Sequence, residues 1–134
     1  MKLRAIIAVV ALASLAGFGV GCGSSDGDSS GAPSHLSDAG KRGYELATTN
    51  RCASCHSLDG AASVGPTWQG LAGSERTLSD GSTVMADTAY LTRAIADPRA
   101  EQVEGYPSQM PTYRFLSDEE VADIVVYIQE LDET

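Results

Sequence analysis

The sequence predicts an all-α domain, a few helices wrapped around one covalently attached prosthetic group, with one small β-hairpin beside them. Three observations carry that expectation. Residues 38–49, a stretch from near Met85 to Pro98, and residues 117–131 each show helical periodicity with their own start or stop signals. The region containing them, residues 38–134, is short enough that its own side chains fill only a modest core. Finally, Cys52-Ala53-Ser54-Cys55-His56 sets two thiols and an imidazole in the Cys-x-x-Cys-His order that attaches a c-type haem. A haem would supply the missing centre.

The elements follow in chain order. Met1-Lys2-Leu3-Arg4 is a short basic segment, and the apolar run over residues 5–20 suits a signal-peptide core better than a bilayer span. Residues 1–21 are therefore read as a signal peptide of the lipoprotein type. Gly19-Val20-Gly21-Cys22 resembles a bacterial lipobox, in which cleavage before Cys22 leaves that cysteine to receive lipid. Ordinary signal cleavage nearby and an uncleaved anchor helix are the other readings. All three place the domain outside the cytoplasm, on the periplasmic side, where c-type haem is attached.

Residues 22–37 are expected to form a flexible tether. The run GSSDGDSSGAPSHLS is poor in large apolar residues, so burial cannot offset its ordering entropy, and it spans about 20 Å by the square-root law for such chains. His35 lies in this polar segment and is assigned no role.

The first helix is expected over residues 38–49, with Tyr44 and Leu46 upstream of the haem motif and Gly43 permitting a close helix crossing. After the motif, Asp80-Gly81 stands between two short β-compatible runs, which predicts a hairpin near residues 76–84. Asp87 reads as the N-cap of a middle helix carrying Tyr90, Leu91, Ala94 and Ile95, and Pro98 stops it. Ser117-Asp118-Glu119-Glu120 is a capping box, after which Val121, Ile124, Val125, Ile128 and Leu131 form the apolar stripe of a last helix. That stripe is expected in the core.

The motif has other readings in principle. Cys-x-x-Cys can be half of a zinc site, but no second Cys pair is present; it can be a redox disulfide, but the βαβ context of such a motif is missing. The cysteine count favours haem. Of three cysteines, Cys52 and Cys55 go to thioether bonds and Cys22 to the leader.

A helix ending at Cys-x-x-Cys-His, a Gly-Pro loop, a middle helix, a Met loop and an amphipathic last helix together resemble the class I cytochromes c. More narrowly, Gly65-Pro66-Thr67-Trp68, Asp80-Gly81-Ser82-Thr83, Ala89-Tyr90-Leu91, Asp97-Pro98, Gly105-Tyr106-Pro107 with Met110-Pro111, and Leu116-Ser117-Asp118-Glu119-Glu120 are similar to the cytochrome c domain of caa3-type oxidase subunit II. The transmembrane hairpin and dinuclear copper ligands of those subunits are not found in this sequence, so it looks like the haem module alone.

The resemblance implies a cytochrome c fold and one haem c, its iron held by His56 and Met110. Prolines on both sides of Met110 would stiffen a loop that must hold a weak thioether on iron. The competing reading is a packing methionine. Met85 is expected to pack or to border the haem crevice. The family pattern also gives the second imidazole nitrogen of His56 a partner in the backbone carbonyl of Pro66. For Trp68, a hydrogen bond to a haem propionate and plain packing stand equal; Tyr113 is a weaker candidate.

An iron with His and Met on its two faces offers no position to substrate, so electron transfer is the expected function and catalysis is not. Met ligation and haem burial favour a relatively high potential, suited to the terminal part of a respiratory chain. The chain carries a net charge of −9, and loss of Lys2 and Arg4 with the leader leaves 7 basic against 18 acidic residues, or −11. Such a surface argues against nucleic acid and favours a redox partner with a basic docking patch, such as a terminal oxidase. The carrier is expected to be monomeric, with the membrane reached through the lipid anchor. A catalytic haem protein, acting on peroxide or nitrite, and a haem-based sensor are the alternatives, but neither a second domain nor a distal catalytic His is seen in the sequence.

Overall fold

In the computed structural model, residues 31–106 and 109–131 are described. The leader, Cys22, most of the expected tether, Pro107 and Ser108 of the Met loop, and the acidic tail over residues 132–134 lie outside the described residues. Among the described residues the architecture is helical with one small sheet, and no helix is long and apolar enough to cross a membrane.

Helix α1 (Asp38–Thr49) starts where Ser37 accepts a hydrogen bond from the Gly40 amide, 3.1 Å, satisfying one of the amides a helix leaves open at its start. Just before it, Leu36 is buried and the Ser37 amide donates to Glu130 at 3.0 Å. The last residues of the segment read as tether therefore pack on the domain. At its other end, Asn50 donates its side-chain amide to the Leu46 carbonyl, 2.8 Å. Arg51 then takes φ +57°, the one left-handed non-glycine among the described residues, and reverses the chain into a single 3-10 turn, Cys52–Ser54.

The hairpin pairs β1 (Glu75–Thr77) with β2 (Thr83–Met85), antiparallel, with Arg76 opposite Val84. Its strands bracket the predicted position. The tip is longer than a two-residue Asp-Gly turn, and Asp80 holds it by accepting from the Ser82 amide at 2.9 Å and the Ser82 hydroxyl at 2.6 Å. Gly81 supplies the positive φ, +84°. An isolated bridge joins Leu78 to Val103, a pairing without a sequence signal because Val103 lies in a loop.

Helix α2 (Thr88–Ala96) has Asp87 as N-cap, accepting from the Tyr90 amide at 2.8 Å. Helix α3 (Asp118–Glu130) begins with a complete capping box between Ser117 and Glu120. Val121, Ile124, Val125 and Ile128 of its predicted stripe are buried, and Leu131 is half-buried at the end.

The crossing of α1 over α3 is set by Gly43. A Cβ there would overlap the Asp123 carbonyl oxygen and stand 2.8 Å from Tyr127 Cβ, so only glycine lets the two backbones meet at this point. Asp123 is itself buried, and its carboxylate accepts two hydrogen bonds from Arg42 at 2.7 and 2.8 Å. The bidentate pair neutralises a charge that would otherwise be costly at the helix interface.

Candidate haem site

Helices α2 and α3, the haem-motif turn and the connecting loops leave between them a cavity of about 320 Å³. Its wall takes Cys52, Cys55 and His56 from the motif, Pro66 and Trp68 from the loop after it, Leu91 and Ile95 from α2, Met110 from the Met loop, and Ile124 and Ile128 from α3. Residues 52, 55, 56, 66, 68 and 110, not all neighbours in sequence, thus line one cavity. Met85 does not. It sits on β2, 49% exposed and off the cavity wall, so the expectation that it packs or borders the crevice does not hold. Tyr113 lines the cavity and meets Phe115 edge-on at 5.8 Å.

The motif is locally ordered by its backbone. The Cys52 carbonyl accepts from the amides of both Cys55, 3.1 Å, and His56, 3.0 Å, which winds the three functional side chains around one tight turn. Both thiols are free and half-buried. Burial, with a smaller contribution from Cys55, pushes the Cys52 thiol above its ordinary pKa, so it stays protonated at neutral pH.

Burial also holds the His56 imidazole below its ordinary pKa, against a smaller upward pull from Pro66. The ring is thus neutral at physiological pH, the form that ligates a metal. His56 Nδ1 lies 2.7 Å from the Pro66 carbonyl oxygen. A carbonyl can only accept, so Nδ1 carries the proton and Nε2 keeps its lone pair. Gly65 closes in on the ring, where a Cβ would stand 2.7 Å from His56 Cε1. Trp68 stacks on it with ring centroids 5.3 Å apart and planes 22° from parallel.

The residues fit a c-type haem on chemistry present in the structure. Two free thiols in a tight turn, a neutral imidazole with an available Nε2, an apolar cavity and a thioether lining that cavity form the donor set. A half-buried arginine adds to this. Arg76 Nε is buried with no hydrogen-bond partner among the described residues, and its charge acts on Tyr90, a residue of the cavity wall. A buried, unpartnered Nε whose charge reaches a residue of the cavity wall suits a prosthetic group that brings carboxylates.

The family profile for cytochrome c matches residues 40–132. The chain belongs to the cytochrome c family. Its membership agrees with the mostly helical fold and establishes haem c, covalently bound and iron-containing, as the cofactor, with Cys52 and Cys55 in the attachment spacing. Haem-based electron transfer is the activity of that family. A search of curated proteins finds no match to the chain.

In this cytochrome c the iron supplies one-electron redox chemistry when haem is bound. The chain's own residues do the rest: Cys52 and Cys55 offer thioether attachment, the Pro66 carbonyl holds the proton on His56 Nδ1, and apolar side chains of α2 and α3 exclude water from the cavity.

Sequence reasoning missed two residues of this neighbourhood. Tyr127 lies on the flank of the α3 stripe, where Ile124 at i−3 was a usable signal. Arg76 had none, because a lone Arg in a hairpin reads as solvated until the fold shields its Nε.

Proposed function

We propose that the protein is a membrane-tethered, single-haem electron carrier with His56 and Met110 as axial ligands, serving a terminal oxidase or a comparable respiratory complex. The observation that carries this reading is that Met110 lines the same cavity as His56, Cys52 and Cys55. A thioether opposite a neutral imidazole leaves no position for substrate and raises the potential relative to a bis-nitrogen haem. The protein is then a carrier and not an enzyme.

Lipidation at Cys22 would hold the head on the extracytoplasmic side of the membrane. The tether would raise its local concentration at a membrane partner, much as covalent fusion does for the oxidase-borne domains it resembles. The strongly acidic chain suits a partner with a basic docking patch, and no nucleic acid.

The test begins with the oxidised holoprotein. It should show the near-infrared sulfur-to-iron charge-transfer band, and Met110→His should abolish the band and lower the potential while Met85→Leu leaves both unchanged. Loss of the band in Met85→Leu would overturn the assignment. Reduced protein added to isolated membranes should be oxidised in an oxygen-dependent, cyanide-sensitive reaction that slows as salt rises. Cys22→Ser should release the protein to the soluble extracytoplasmic fraction. Turnover with peroxide or nitrite in place of membrane oxidation would overturn the carrier reading.

A further inference from the structure

A continuous column of rings runs through the domain and ends on the imidazole. Tyr44 of α1 meets Tyr127 of α3 edge-on, centroids 5.6 Å apart and planes at 83°. Tyr127 meets Trp68 edge-on at 6.0 Å and 84°, and Trp68 stacks on His56. Trp68 and Tyr127 are 5% and 3% exposed, so neither ring turns without displacing packed neighbours.

The imidazole has one hydrogen bond, from Nδ1 to Pro66. One such bond fixes the position of an atom and the tautomer, but it leaves the ring able to rock about that anchor. The surfaces that bound the ring are the backbone at Gly65 and the indole face of Trp68. Trp68 is in turn met at right angles by a ring from α3, and that ring by a second from α1. An offset stack followed by two edge-to-face contacts is a directional arrangement, in which each ring favours one orientation of the next.

We infer that Trp68 is a positioning residue whose face sets the rotation of the His56 imidazole, and that Tyr127 transmits the α1–α3 packing into that rotation. The inference rests on the reading of His56 as an iron ligand. Its chemical consequence concerns electron exchange: an axial ring held in one rotation in both oxidation states adds little nuclear rearrangement to the transfer. A merely space-filling Trp68 would support stability and leave the rotation to Pro66 alone.

Proton NMR of the ferric holoprotein separates the two, because the order of the hyperfine-shifted haem methyl resonances reports the rotation of the axial imidazole. Trp68→Leu and Tyr127→Leu should both lose the wild-type order, although Tyr127 does not stack on the imidazole. Tyr127→Phe keeps the ring and should keep the order. Val125→Ala, a buried α3 substitution outside the column, should lower the melting temperature and also keep the order.

A folded Tyr127→Leu with the wild-type order would overturn the inference, and so would a change of order in Val125→Ala. If the leucine variants do not accumulate as holoprotein, Trp68→Phe, with its smaller face, should show part of the change; the wild-type order there overturns the inference. Absence of hyperfine-shifted His56 ring protons in the wild type would instead refute the ligand reading beneath it.

Discussion

Replacing Gly43 by alanine tests the helix crossing on which the cavity is built. The added methyl would overlap the Asp123 carbonyl oxygen and stand 2.8 Å from Tyr127 Cβ, and neither obstacle can be relieved by turning a side chain. Helix α1 must back away from α3, which loosens contacts along the whole crossing, the Tyr44–Tyr127 pair included. Overpacking of this kind costs about 1–3 kcal/mol, and a backbone obstacle puts it near the upper end, about 3 kcal/mol. Alanine gains about 1 kcal/mol over glycine in a helix interior. The net expectation is a loss of about 2 kcal/mol, or about 8–16 °C in melting temperature for a domain of this size. Guanidinium and thermal unfolding of the ferric holoprotein, followed by far-UV circular dichroism, measure it. The two contributions have opposite signs, so a variant as stable as wild type, or about 1 kcal/mol more stable, would refute the close crossing.

Other outcomes follow from the same contacts. Mass spectrometry of denatured protein should show one retained haem, and Cys52→Ala with Cys55→Ala should leave haem extractable by acidic organic solvent; haem so extracted from the wild type would refute covalent attachment. Arg42→Leu should destabilise the fold more than Asp123→Asn, as the first leaves a buried carboxylate without its partner while the second leaves a half-exposed guanidinium that water can solvate; the reverse order in chemical denaturation counts against the pair. The hydrogen bonds from Ser82 hold the Asp80 carboxyl below its ordinary pKa, the hydroxyl contributing most. Stabilisation of the hairpin tip is then present above the unfolded-state value and is lost as pH falls through the lower folded one. An NMR titration of Ser82→Ala should move the Asp80 midpoint upward, and an unmoved midpoint would sink that assignment.

Local interactions made much of the fold legible. Asp87 and Ser117 cap their helices through side chains acting within three residues, and the α3 stripe reads directly as buried surface, since both are short-range consequences of residue type and period. The haem motif belongs to the same class. Its chemistry lies in five consecutive residues, and Cys52-Ala53-Ser54-Cys55-His56 forms its turn through its own backbone. The resemblance to cytochromes c reached further, to Pro66, Trp68 and Met110, and those residues do share one cavity.

What lay beyond the sequence depends on which distant groups the fold brings together. Met85 and Met110 look alike as thioethers, and only the tertiary structure puts one on the cavity wall and leaves the other exposed on β2. The Nε of Arg76 is left buried and unpartnered only in the folded hairpin, where its charge reaches Tyr90 of α2. For Trp68 only the structure shows the ring lying on His56, backed by Tyr127 of α3 and then Tyr44 of α1. By itself the sequence determined the cofactor, the helix ends and the buried stripe, because each is encoded by neighbours along the chain. The tertiary structure alone decided the surroundings of the imidazole, because those contacts join residues whose separation along the chain carries no information about their orientation in space.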